Sequence, residues 1–365
     1  MKTVLTIVRY LVGLLFIFSG LVKANDPLGL SYKMLEFFEA WNWHLLDHYT
    51  LIASIAMNVC EVLAGVAIII GWQSKWVSWF LLLLILFFSF LTAYVLFSGK
   101  IKECGCFGDC IPLSGLHTFL KDILLLLMIL FLFFNTRNIT SLFSSKLAVL
   151  LLLVSLVTTI SVQLYALKYL PFVDCLPYKK GNNIIEQMKV PVGAVSDSFA
   201  ISFKYNKNGK IIAFDKDHFP TDFDSSYEFV DRYQKQIRKG NATPPIIDFS
   251  LKTLSGTDTT TAILNQSDKY VLLFAKDFSN VAKWKDQFDL FLKAALRKNI
   301  AVYLVTADVE TATHLFKQVM ILKCDATVIK TAARVNPTYV FMKKASILNK
   351  LSYANVSQVF DALAH

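Results

Sequence analysis

Charge is scarce in this 365-residue chain. Only 18% of its residues are charged against 55% hydrophobic, and the mean hydropathy is +0.49. Soluble domains carry roughly 25% charged residues, so this composition excludes an ordinary soluble protein. The apolar excess lies in residues 1–165. A nucleic-acid motif and a basic stripe interleaved with aromatics are also missing, which argues against a nucleic-acid partner. The net charge of +10 is then read as positive residues at the ends of membrane helices plus a mildly basic soluble domain. Cys-x-x-Cys pairs are absent too. That removes the usual dithiol motif.

What is present begins with five apolar runs, about residues 3–22, 51–72, 76–98, 116–135 and 147–165. No charge falls between Lys75 and Lys100. Each run is near the roughly 20 residues that a membrane-crossing helix needs, and in lipid only a helix satisfies its own backbone. A cleaved signal peptide fits the stretch from Tyr10 to Val22, with Val22-Lys23-Ala24 as a weak cleavage site. Arg9 inside the run and the four runs that follow favour a retained helix. Between the first two runs, Tyr32 to Trp43 mixes apolar and charged residues at helical spacing. It reads either as a helix lying in the interface or as a cap on the bundle.

An odd number of spans puts the loop after the third and the chain after the fifth on one side. The short loops at Lys75 and at Arg137 to Lys146 are positive only, whereas residues 23–50 also carry Asp26, Glu36, Glu39 and Asp47. By the positive-inside rule the N-terminus is cytoplasmic and the C-terminal domain outside, in a bacterial cell the periplasm. Arg9 and Glu61 stand at membrane depth. Such residues pair or line a functional cavity, so an Arg9–Glu61 pair is expected.

The densest chemistry is Lys102-Glu-Cys-Gly-Cys-Phe-Gly-Asp-Cys110, which puts Cys104, Cys106 and Cys110 within seven residues. Three readings stay open. The cysteines form a redox-active site, its thiolates favoured by Lys100 and Lys102 and opposed by Glu103 and Asp109; they form a structural disulfide; or they bind metal together with His117. The first is preferred and no metal is expected. Cys175, in the Pro- and Gly-punctuated stretch Pro171 to Gly181, is a further candidate for a disulfide with one of the three. Cys60 and Cys324 read as buried thiols.

The soluble half reads in two parts. Residues 171–243 are an extracytoplasmic linker with a β-hairpin, Ala200–Tyr205 and Lys210–Phe214, followed by a polar connector with one helix. Residues 244–365 alternate strands and helices and close on a hairpin, which indicates an α/β domain. Its expected elements are a strand and turn over 247–256, strands at Tyr270–Ala275 and Ile300–Thr306, and a helix over about 281–297.

Two resemblances follow. Cys104-Gly-Cys-Phe-Gly108, Ser114, Lys121-Asp122, Arg9, Phe18-Ser-Gly20 with Lys23, and Glu61 with Gly65 resemble the MauE-type membrane component of methylamine-utilisation systems and the wider DoxX-like proteins. The resemblance covers about residues 1–135. It implies a four-helix bundle, with the fifth span added, related to the vitamin K epoxide reductase and DsbB-type bundles that pass electrons between thiols and quinone. Quinone is the candidate cofactor on that ground, although those enzymes use Cys-x-x-Cys pairs. It also implies a helper role in maturing a disulfide-rich partner. Residues 244–365 resemble thioredoxin-like domains, through Asp248-Phe-Ser-Leu251 with Gly256 and through Asn336-Pro-Thr338. That implies Pro337 as a cis residue near which extended peptides bind. Ser279-Asn-Val-Ala282 stands where that family places Cys-x-x-Cys. The expectation is an inner-membrane protein that assists thiol–disulfide exchange on an exported client, with Cys104, Cys106 and Cys110 as exchanging groups. The alternative is a non-enzymatic membrane scaffold with a structural disulfide in that loop.

Overall fold

A computed structural model describes residues 2–99, 101, 105, 108–111, 114–195, 198–215, 218–238, 240 and 242–364, with side chains omitted at 234–238. Cys104 and Cys106 lie outside the described residues. Among the described residues, five helices are long and apolar enough to cross a membrane. They are α1 (Lys2–Asn25), α3 (Thr50–Ile70), α4 (Ser74–Ser98), α5 (Gly115–Phe134) and α6 (Ser145–Tyr169).

Helices α1 and α3 run antiparallel, in close contact along a glycine seam. A Cβ on Gly65 would stand 2.6 Å from the Gly13 carbonyl oxygen, and one on Gly20 would meet Val62 at 2.7 Å. Small residues at such points let two backbones approach, which is the main source of helix attraction in lipid. Helix α6 packs on α3, where Asn58 donates to Gln163 at 3.0 Å.

Helix α2 (Pro27–Trp41) lies between the first two spans. Asp26 caps its N-terminus by accepting from Gly29 N, and Pro27 opens its first turn, both common starting signals. Ser31 hydrogen-bonds Thr50 at 3.0 Å, and Ser54 donates to the Pro27 carbonyl at 2.7 Å. Phe37 is buried, and Trp41 meets Tyr94 edge-on at 5.5 Å. This helix is therefore a cap on the bundle.

Beyond α6 the chain passes through α7 (Ile184–Gln187) into β1 (Ser198–Lys207), β2 (Lys210–Asp215) and β3 (Tyr227–Arg238). These form an antiparallel sheet in the order β2-β1-β3. The third strand replaces the connector and helix expected there. Its partner explains this: Phe229 pairs with Tyr205, their rings 5.6 Å apart, and such cross-strand pairs override a polar composition.

The remaining elements are α8 (Thr260–Leu264), β4 (Lys269–Phe274), α9 (Lys285–Arg297), β5 (Ala301–Thr306), α10 (Val309–Leu315), β6 (Met320–Lys323), α11 (Ala326–Ala332), β7 (Thr338–Lys343), β8 (Ser346–Ser352) and α12 (Val356–Asp361). The sheet order is β6-β5-β4-β7-β8. Strands β4 to β6 are parallel, and β7 and β8 are antiparallel to their neighbours. Alternate residues of β4 feed two cores: Tyr270, Leu272 and Phe274 one, Val271 and Leu273 the other. A strand buried on both faces is a continuous apolar run for this reason. The strand expected over 247–256 does not form. Asp248 sits at φ 57, outside extended geometry, and only isolated bridges join Lys252 to Asp258 and Lys323. The chain is a transmembrane helical bundle followed by an α/β region with two sheets.

Candidate functional site at the bundle–domain junction

The described residues of the loop between α4 and α5 lie beside the end of α1 and the middle of α2. Gly105 has φ 72, and a Cβ there would stand 3.1 Å from Lys33 Cγ; Gly108 has φ 57 and faces Val22. Left-handed backbone at both points suits glycine. Cys110 ends a short helical turn and forms a disulfide with Cys175, 65 residues on in the connector after α6. The loop and the connector are thereby one covalent unit.

The soluble region docks on this unit through charge. Arg334 is buried and donates to Asp26 at 2.7 Å and to Asp109 at 2.6 Å. Burial works against its charge, but the two carboxylates outweigh that and hold the guanidinium more firmly protonated. Lys350 donates to Asp174 at 2.7 Å. Burial pushes that ammonium down, against the pull of Asp174. Lys276 donates to the Arg334 carbonyl at 2.8 Å and reaches Tyr32 Oη at 3.3 Å. Burial lowers its ammonium to about 8, Arg334 adds to that, and Asp277 and Asp26 oppose it. Asp26 and Asp109 of the bundle thus receive Arg334, and Asp174 of the connector receives Lys350. Charged groups taken out of water require such partners.

The loop before β7 takes part in this contact. The Asn336–Pro337 peptide is cis, and Pro337 is buried. Asn336 accepts from Lys276 N and donates to the Asp277 carbonyl, both at 2.9 Å. It therefore ties the segment after β4, which holds Ser279 to Ala282, to the proline loop. The Arg334 guanidinium lies 5.4 Å over the Tyr32 ring. Through Tyr32, α2 thus touches Arg334 and Lys276, which flank the loop at Pro337.

A second polar cluster lies within the bundle, and it corrects one expectation. Arg9 and Glu61 do not pair. Arg9 donates to the Ile68 carbonyl at 2.7 Å, to Ile69, and to the Thr140 carbonyl at 3.1 Å. It closes the C-terminal end of α3, where orphan carbonyls attract a cation. Ile68 is seven residues past Glu61, which in a helix is about 10 Å along the axis. The glycine seam sets that register. Glu61 instead pairs with Lys23 and accepts from Ser19 at 2.9 Å. Lys121 pairs with Asp122 at 2.9 Å, and Thr92 donates to Asp122 at 3.1 Å. Ser19, Lys23, Glu61, Lys121 and Asp122 border a cavity of about 70 Å³ between α1, α3, α4 and α5, larger than the roughly 15 Å³ one water needs. The available signal was the i,i+4 spacing of Ser19 and Lys23 on one helix face.

The other cysteines stand apart. Cys324 is buried in the α/β core, and burial pushes its thiol up to about 12. Cys60 lines an apolar groove between α3, α4 and α6. His117 is exposed and lies 2.6 Å from Ser114 Oγ through its Nδ1.

Comparison with known proteins adds to this geometry. A family model described as a domain of unknown function (DUF8463) matches residues 199–239, the small three-stranded sheet. Neither the curated proteins nor the solved structures searched gave a match. Residues 1–135, which form α1 to α5 and carry the cysteine loop, match the family model of methylamine utilisation protein MauE, and it is to that family that the membrane bundle is similar.

Proposed function

We propose that this protein assists thiol–disulfide exchange or disulfide-dependent maturation of exported proteins at a bacterial inner membrane. The observation that carries this reading is the Cys110–Cys175 disulfide. It commits Cys110 to the connector, so exchange by the loop falls to Cys104 and Cys106. Disulfides persist in oxidising compartments, which supports a periplasmic loop and α/β domain and a cytoplasmic N-terminus. The sheet order with three parallel and two antiparallel strands, and the cis peptide before β7, support the thioredoxin-like reading. Without Cys-x-x-Cys, that domain's part is to hold a client or a partner subunit near the loop. The match to a methylamine utilisation family points the same way, toward a helper in maturing a disulfide-rich partner.

A second reading has its own observation. The same disulfide joins loop to connector as a structural tie would, and a non-enzymatic scaffold needs no more. Single-cysteine variants discriminate. Cys104→Ser or Cys106→Ser should trap mixed disulfides with periplasmic proteins in a thiol-trapping pull-down. If neither traps a partner while the doubly substituted chain keeps full activity in its host, exchange is wrong and the scaffold stands.

A further inference from the structure

Both disulfide cysteines follow an aspartate, and both aspartates are ion-paired to the α/β domain. Asp109 precedes Cys110 and accepts from Arg334 at 2.6 Å; Asp174 precedes Cys175 and accepts from Lys350 at 2.7 Å. The half-cystine Cα atoms are 4.8 Å apart, so the bond holds two carboxylates from distant segments side by side. Asp26, which also receives Arg334, lines the same small pocket as Asp109 and Asp174. Three like charges collected on one surface repel until cations cover them. Both cations are on the α/β domain, and their side chains are 6% and 4% exposed.

We propose that the Cys110–Cys175 disulfide is a latch. In the oxidised state it preassembles the acidic surface and keeps the α/β domain docked, with Tyr32 of α2 against Arg334 and Lys276. In the reduced state the domain undocks and the Arg334 and Lys276 contacts with Tyr32 are released. The closed bond makes the second ion pair effectively intramolecular once the first has formed, which is the gain of a short tether. Reduction removes the tether and leaves Asp109 and Asp174 on independent segments. The reductant is a dithiol. One of its thiolates attacks a sulfur of the bridge and forms a mixed disulfide. Its second thiol then displaces the protein sulfur. Two electrons and two protons end on Cys110 and Cys175, and the dithiol leaves as a disulfide. The latch needs no reactivity of Cys104 or Cys106, so it stands or falls separately from the exchange reading.

Hydrogen exchange on the full chain in detergent tests it, comparing oxidised protein with protein reduced by dithiothreitol. The Cys104→Ser/Cys106→Ser variant is run in parallel, so that reduction acts on the latch alone. On reduction, protection of peptides covering 26–33 and 330–337 should fall at least tenfold in both proteins, while β4 stays protected. Cys175→Ser should match the reduced state without reductant. Unchanged protection at 330–337 after reduction would overturn the latch. So would simultaneous loss of protection in β4, which reports unfolding rather than undocking. If Cys175→Ser does not fold, the reduced unsubstituted chain decides alone.

Discussion

Arg334 donates to the carboxylate of Asp109 at 2.6 Å, and Asp109 is the residue before the disulfide-bonded Cys110. One side chain of the α/β domain thus reads the position of the cysteine loop. It binds Asp26 at the start of α2 as well, so it senses the loop and the bundle together.

Arg334→Gln should therefore be costly. Removing one partner of a buried ion pair leaves an uncompensated charge, at roughly 3–5 kcal/mol. The expected outcome is faster proteolysis of the connector at 171–195 and a lower melting midpoint. An unchanged midpoint would mean that the junction contributes little to stability.

The junction also predicts a pH dependence. Lys276 is lowered to about 8 from its ordinary 10.5. Between those values the unfolded lysine still holds a proton that the folded one has released. Stability then rises with pH across that window. Lys350 is shifted in the same direction. Tyr32, raised by burial to about 12, acts in the opposite sense only above pH 10. The melting midpoint should climb between pH 8 and 10, with Lys276 contributing on the order of 1 kcal/mol. Lys276→Met should flatten part of that climb, and identical slopes in the two proteins would refute the assignment.

Lys23 and Glu61 form a pair that is 2% and 1% exposed. Glu61→Gln and Lys23→Met should each destabilise the detergent-solubilised protein by roughly 3 kcal/mol or more. The double variant should lose less than the sum, as coupled neighbours do. Additive losses in a thermal double-mutant cycle would show that the two charges act independently. An Arg9→Gln/Glu61→Gln cycle should be close to additive.

Cys324 should resist modification. A thiol pushed up to about 12 by burial carries almost no thiolate at neutral pH. Maleimide labelling of the native protein at pH 8 should leave it unmodified until denaturant is added. Labelling at the rate of an exposed thiol would contradict its place in the core.

The spans were legible because an uninterrupted apolar run in lipid has one backbone solution. The parallel strand β4 was legible for a related reason: burial on both faces makes Tyr270 to Phe274 wholly apolar. Strand β3 was not, because its residues are polar on average and its ladder is with β1, where Phe229 meets Tyr205 from 24 positions away. Asp248 was misread because nothing local announces a positive φ at a non-glycine residue. At the site, the sequence marked Arg9, Glu61, Cys110 and Cys175, yet it left Glu61 with the wrong partner.

Reading the chain alone was enough to find five segments apolar enough to cross a membrane, to expect the cysteine loop and the α/β domain on one side, and to see that no Cys-x-x-Cys motif is present. Those properties follow from composition, parity and residue identity. It took the folded molecule to show that Lys23 rather than Arg9 neutralises Glu61, that Cys110 bonds Cys175, and that Arg334 and Lys350 settle on the aspartates beside that bond. Each depends on which faces meet at a few ångströms. That is set by the Gly13–Gly65 seam and by docking across the junction, which no local pattern in the chain encodes.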